Sequence, residues 1–115
     1  MATVKIYHNV RCSKSREACN IIADKGIKAE VVEYLKTPPT QKEIKELLGL
    51  LKLNAEDIIR KGEELYKTKY KGKTFTEAQW IKILAENPIL IERPIIVNGK
   101  KAVIGRPPEK VLEIL

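Results

Sequence analysis

Two cysteines, one histidine and five arginines hold most of the chemistry available to this chain. Cys12 stands where an apolar segment, Val4-Lys5-Ile6-Tyr7, passes through the loop His8-Asn9-Val10-Arg11 into a helical pattern beginning at Ser13. Backbone N–H groups at a helix start are unpaired and point outward, so they stabilise a thiolate and bind an anion in the same place. Arg11 precedes the cysteine, Arg16 lies one turn into the helix, and the hydroxyls of Ser13 and Ser15 can donate toward the sulfur. In such settings a thiol pKa falls from ~8.5 to roughly 4–7, which gives a nucleophile at neutral pH. The opposing reading is a half-buried cysteine that only fills space. Its position at a strand-to-helix turn, flanked by two of the five arginines, favours the reactive one.

Cys19 is the opposite case. With Ser15, Ala18 and Ile22 it falls on the apolar face of the same helix and reads as a core residue. Seven helical residues separate the two Cα atoms by about 10 Å, too far for a disulfide unless the helix unwinds. The run Cys12-Ser13-Lys14-Ser15 has serine where a dithiol Cys-x-x-Cys motif has its second cysteine, so the second thiol of any redox cycle must come from outside. His8 can tune the Cys12 thiolate or orient a neighbour, or simply close the strand end. Arg93 and Arg106 each precede a proline, which forces an extended backbone on the residue carrying the guanidinium. Arg60 falls at the end of a short helical pattern. The opposing reading for each is a surface arginine in a weak ion pair, which taken singly would win for Arg60; converging on one thiolate the three would form a tetrahedral-oxyanion pocket.

The elements that must position these groups follow from periodicity and punctuation. Strand 4–7, helix 13–25 stopped by Gly26, and strand 30–34 make a βαβ unit with parallel strands. The stiff run Lys36-Thr37-Pro38-Pro39 follows. Thr40 with Glu43 is a capping box for a helix to Leu51, Asn54 caps a short helix over 55–61, and Thr76 with Gln79 caps a helix to Glu86. The lysine-rich stretch 67–73 reads as a polar loop. Pro94-Ile95-Ile96-Val97 and Lys101-Ala102-Val103-Ile104 flank Asn98-Gly99, a type I′ hairpin signal, and a terminal amphipathic helix is expected over 109–115. The order βαβ, helices, ββα is that of an α/β thioredoxin-like fold. One domain is expected over residues 1–115, with a helical insertion at about 40–87 between its halves. In that fold a cis-proline precedes the third strand beside the active cysteine, and Pro94 is the candidate, which puts Arg93 next to Cys12.

The composition narrows the function classes. With 115 residues, 43% apolar and 32% charged, the chain is one globular domain rather than a disordered segment. No apolar run approaches the ~20 residues of a membrane span, and Met1-Ala2-Thr3-Val4-Lys5-Ile6 has no leader-like apolar region. Two cysteines seven apart make no secreted disulfide scaffold, so a reducing, cytoplasmic setting is expected. One histidine and two cysteines exclude a four-ligand Cys/His zinc site within one chain, and no metal is expected. The net charge of +7 comes from 22 basic residues, 17 of them lysines scattered among glutamates. With one Phe and one Trp for base stacking, nucleic acid is not an expected partner.

The segment Ile6-Tyr7-His8-Asn9-Val10-Arg11-Cys12-Ser13-Lys14-Ser15-Arg16 resembles the active-site loop of the glutaredoxin-coupled arsenate reductases. Tyr34-Leu35-Lys36-Thr37-Pro38-Pro39-Thr40, Ile59-Arg60-Lys61, Asn87 to Ile95 and Gly105-Arg106-Pro107-Pro108-Glu109 are similar to that family's later motifs. The residue two before the cysteine, usually proline in that family, is Val10 here. The resemblance implies a thioredoxin-like fold with a helical insertion and Cys12 as the nucleophile toward arsenate. It implies that Arg60, Arg93 and Arg106 bind the oxyanion, that His8 influences the thiolate, and that Ser15, Arg16 and Pro94 support the site. It further implies glutathione as co-substrate with no bound cofactor, glutaredoxin as partner, and a monomer free of membrane. Two other readings remain open: an Spx-type regulator that binds RNA polymerase, which would carry a second cysteine at Ser15, and a related thiol oxidoreductase with another substrate.

Overall fold

A computed structural model of the chain describes residues 4–115; Met1, Ala2 and Thr3, part of the run read against a leader, lie outside the described residues. The described chain divides into two compact units. One comprises the residues up to Thr37 together with Arg93–Leu115, and the other is Pro38–Glu92.

The first unit is a four-stranded sheet with helices. Strand β1 (Val4–His8) leads through a four-residue loop into helix α1 (Ser13–Asp24), and β2 (Ala29–Glu33) returns parallel to β1, His8 pairing with Glu33. Strands β3 (Ile95–Asn98) and β4 (Lys101–Ile104) form an antiparallel hairpin, and β3 also runs antiparallel to β1. The order β2-β1-β3-β4 puts β1 in the interior of the sheet, which is why its residues are almost all buried. Val4, Ile6 and Ile96 meet Ala18 and Ile22 of α1 and Val111 of the closing segment in one core. Each fully buried Ile or Val side chain there is worth roughly 1.5–3 kcal/mol. The expected thioredoxin-like architecture is present.

Two local expectations need correction in this unit. The hairpin loop is Gly99-Lys100, since Asn98 already pairs with Lys101. Among the described residues outside glycine only Lys52 has a positive φ, so Gly99 (φ +63°) alone is left-handed. That is the type II′ pattern, with glycine at the first central position, rather than type I′ at Asn98-Gly99. The C-terminal segment is a 3₁₀-helix, Pro108–Glu113, in place of the regular helix expected over 109–115.

The second unit is helical. Helix α2 (Gln41–Leu51) carries the Thr40–Glu43 capping box, and α3 (Glu77–Glu86) carries the one between Thr76 and Gln79. The segment after Asn54 is a single 3₁₀ stretch, Ala55–Ile58, shorter than the expected helix over 55–61. It ends because Ile59 turns extended and bridges Ile91. The supposed polar loop at 67–73 contains a π-helical turn, Tyr66–Tyr70. The turn buries Tyr70 against Phe75 and Trp80, with ring centroids 5.9 and 6.1 Å away, while Lys67, Lys69 and Lys71 stay exposed. No helix among the described residues is long and apolar enough to cross a membrane.

Candidate functional site

The Cys12 loop is built by its own backbone. The Asn9 side-chain carbonyl accepts the Arg11 N–H at 2.9 Å, and the Asn9 backbone carbonyl accepts the Cys12 N–H at 3.0 Å. The Asn9 N–H in turn donates to the Ser15 hydroxyl at 3.3 Å. Ser15 is fully buried, so its hydroxyl ties the loop down and its backbone, not its side chain, serves the sulfur. Arg16 closes the loop from outside, donating to the Val10 carbonyl at 2.8 Å. Cys12 is thereby held in extended backbone at the N-cap of α1, with the Ser15 and Lys14 N–H groups directed at its sulfur.

The arginines arrive from the opposite end of the chain by hairpin register. Ile95 pairs with Ile104, so carrying the pairing two residues further sets Arg93 opposite Arg106. The β1–β3 register pairs Tyr7 with Ile95, and its continuation brings Pro94 beside His8, near the Cys12 loop. Arg93 hydrogen-bonds the Cys12 sulfur. Arg106 donates Nη2 to the same sulfur at 3.5 Å and Nε to the Arg93 carbonyl at 2.7 Å. The Arg93–Pro94 bond is cis, as the position of Pro94 leads one to expect, and Arg106–Pro107 is cis as well.

Burial, the largest influence on Cys12, pushes its thiol up. The Ser15 N–H, the Arg93 hydrogen bond, the Lys14 N–H and the Arg93 charge together outweigh it, and the thiol titrates below its ordinary range. For Arg93, burial works against the charge, but its interactions with Cys12 and Tyr34 overcome it and raise its pKa. Tyr34 is 1% exposed at the exit of β2, and its phenol interacts with the Arg93 guanidinium. A tyrosine ending a strand reads as packing, so nothing in the pattern marked it. Gly105 is a second such residue: its N–H donates to the Pro94 carbonyl at 2.8 Å, and a Cβ there would come within 2.9 Å of the Pro94 ring.

His8 faces elsewhere. Its Nδ1 lies 3.7 Å from the Cys19 sulfur, and burial lowers its pKa despite Glu33, with Arg16 adding to the lowering. The imidazole is therefore neutral near pH 7, and its direct neighbour is Cys19. Cys19 is half-buried against the core, as its helical position implies; burial raises its pKa, and both cysteines are free thiols. Arg60 belongs to the helical unit. Its backbone N–H donates to the Leu90 carbonyl at 2.7 Å, and its Nε lies 3.2 Å from the Glu63 carboxylate. It follows the 3₁₀ stretch and the Ile59 bridge rather than ending a helix.

Two guanidinium groups and two helix N-terminal amides thus converge on one thiol that titrates below its ordinary range. The uncharacterized protein YfgD of Escherichia coli (strain K12) is 47% identical over 114 residues, covering 97% of this chain and 96% of that one. The arsenate reductase of Haemophilus influenzae is 42% identical over 117 residues, covering 98% and 99%. The solved structure of an arsenate reductase from Vibrio cholerae superimposes with a TM-score of 0.95 at 45% identity, covering 99% and 98%. The family model described as ArsC family matches residues 7–114, a span that takes in Cys12, Arg93 and Arg106, and the chain belongs to the ArsC family.

Proposed function

We infer that the protein is an arsenate reductase working through a single cysteine. The observation that carries this reading is the convergence of Arg93, Arg106 and the Ser15 and Lys14 N–H groups on the Cys12 sulfur. Arsenate is a tetrahedral dianion near neutral pH, so an attacking thiolate meets like charge. Two guanidinium groups offset that repulsion and stabilise the charge that develops. The Cys12 thiolate attacks As(V), a sulfur–arsenic bond forms, and an arsenate oxygen leaves as water. The thiolate of glutathione then attacks the Cys12 sulfur. A disulfide forms, the sulfur–arsenic pair returns to arsenic, and arsenic leaves as As(III) arsenite while two thiols are oxidised. A glutaredoxin thiol attacks the glutathione sulfur and frees Cys12. The family resemblance also assigns Arg60 to oxyanion binding, and it enters this reading on that ground.

The test is arsenate-dependent NADPH oxidation coupled through glutathione, glutaredoxin and glutathione reductase, run beside a thioredoxin-coupled version. Cys12→Ser should abolish turnover while circular dichroism stays native. Arg93→Ala and Arg106→Ala should each lower kcat/KM about a hundredfold, and Arg60→Ala should also lower it. Lys14→Ala should have little effect, because Lys14 acts through its backbone N–H. Residual turnover in Cys12→Ser, or equal losses across the arginine and lysine variants, would sink the mechanism.

A further inference from the structure

The proposed cycle needs a second thiol, and one flank of the Cys12 loop is built to seat it. Strands β1 and β2 are parallel with His8 paired to Glu33, so both chains leave the sheet at the same end. Both chains turn there, the Cys12 N–H bonding the Asn9 carbonyl and the Lys36 N–H the Glu33 carbonyl, and the two turns carry Val10 with Arg11 and Leu35 with Lys36. Crevices beyond the carboxyl ends of parallel strands are where open α/β sheets bind ligands. A cavity of about 220 Å³ lies there, lined by His8, Val10, Arg11, Glu33, Leu35 and Lys36. Val10 and Leu35 are 51% and 40% exposed, so the structure presents two apolar side chains to water at this one place. Arg11 and Lys36 are exposed beside them, and the Glu33 carboxylate sits 3.5 Å from the Lys36 ammonium. Arg93 and Arg106 reach the sulfur from the strands β3 and β4, on the other side of β1. The two flanks of the loop thus carry different chemistry: guanidinium groups for an oxyanion, and a mixed apolar and charged cavity for something else.

We propose that this cavity binds the reducing co-substrate, a small acidic thiol peptide of the glutathione class; the assignment rests on the arsenate-reductase reading above. Such a peptide carries two carboxylates, one ammonium group and a short apolar stem. The cavity offers Arg11 and Lys36 to the carboxylates, Glu33 to the ammonium and Val10 with Leu35 to the stem. Its volume is below the roughly 300 Å³ at which drug-sized ligand pockets begin. It therefore seats one end of the peptide, leaving the thiol end for Cys12, the next residue after Arg11 in the same loop.

The probe is S-methylglutathione, which keeps the charges of glutathione and has no free thiol. Titrated into the full chain, it should shift the NMR amide signals of Val10, Arg11, Leu35 and Lys36. Leu35→Asp and Lys36→Glu should each weaken its binding about tenfold, and Lys101→Glu, the same charge change on exposed β4, should not. In the coupled assay both variants should raise the KM for glutathione about tenfold with the KM for arsenate and the alkylation rate of Cys12 unchanged. Shifts centred elsewhere, no binding, or equal weakening by Lys101→Glu would overturn the assignment. So would a rise in the KM for glutaredoxin in place of that for glutathione, which would make the surface a protein contact. The two readings fail separately: absence of arsenate turnover with S-methylglutathione bound at the cavity removes the reductase reading and leaves the site. Turnover without binding at the cavity removes the site alone.

Discussion

The lowered pKa of Cys12 comes from three named groups, and they can be separated. Burial opposes ionisation, while the Ser15 and Lys14 amides and the Arg93 guanidinium favour it and prevail. Arg93 in turn interacts with Tyr34, a residue that never touches the sulfur but favours the charge held against it. Arg93→Ala should slow iodoacetamide alkylation of Cys12 at pH 6 about tenfold, as expected for loss of one charge-assisted hydrogen bond, and should move the pH profile upward. Tyr34→Phe should move it in the same direction by less, and Lys14→Ala should not move it. An unshifted profile in Arg93→Ala would assign the thiolate to the helix amides alone. The sequence displayed Cys12 and its arginines plainly, because a cysteine at a helix start and pre-proline arginines are local signals. Tyr34 and Asn9 were not legible as site residues. Their roles depend on which groups lie across from them, and no local pattern encodes that.

At the scale of elements, the β3–β4 hairpin is the device that brings Arg93 and Arg106 together at the Cys12 sulfur. With Gly99-Lys100 as its loop, Ile95 meets Ile104 and Arg93 falls opposite Arg106. Reading the loop one residue earlier, at Asn98-Gly99, would shift the pairing by two residues and part the arginines. An Asn-Gly pair signals a hairpin, but the choice between a I′ and a II′ turn rests on packing of both strands against β1. Gly105 keeps the two ends of the hairpin close, since no side chain fits between its Cα and Pro94. Gly105→Ala should therefore cost about 1–3 kcal/mol in denaturant unfolding through overpacking. It should also reduce arsenate turnover more than it reduces stability at the assay temperature, by displacing Arg93 and Arg106. A variant with wild-type turnover would show that the paired arginines tolerate the shift. The capping boxes at Thr40 and Thr76 were legible residue by residue, because their partners lie three positions away. The π-helical turn at Tyr66–Tyr70 was not, because the pull on Tyr70 comes from Phe75 and Trp80.

For the whole molecule, acidity should act on stability through two groups in distinct windows. The folded pKa of His8 lies below its ordinary value near 6.5. Below that ordinary value the unfolded chain binds a proton that the folded chain refuses, so stability falls as pH drops through this range and levels off beneath the folded pKa. Cys12 also has a lowered folded pKa, so its contribution is fully present above the unfolded thiol's value near 8.5 and is lost as pH falls through the folded one. Urea unfolding from pH 9 to pH 5 should show a decline whose alkaline part disappears in Cys12→Ser and whose part below pH 6.5 flattens in His8→Asn. An unchanged slope in His8→Asn would place the acid-sensitive group elsewhere.

The sequence by itself determined what is local: strand, helix and cap positions, the cysteine at a helix start, the absence of a second thiol at Ser15, and the split of +7 into scattered lysines and a few placed arginines. Those follow from side-chain type and from spacings of two to four residues, over which chain geometry is fixed. The tertiary structure decided which distant groups meet. Strand order and hairpin register joined Arg93 and Arg106 to Cys12 across more than eighty positions, turned His8 toward Cys19, and enlisted Tyr34. Such pairings depend on how a whole sheet buries its apolar face, and a single segment of sequence carries no record of that.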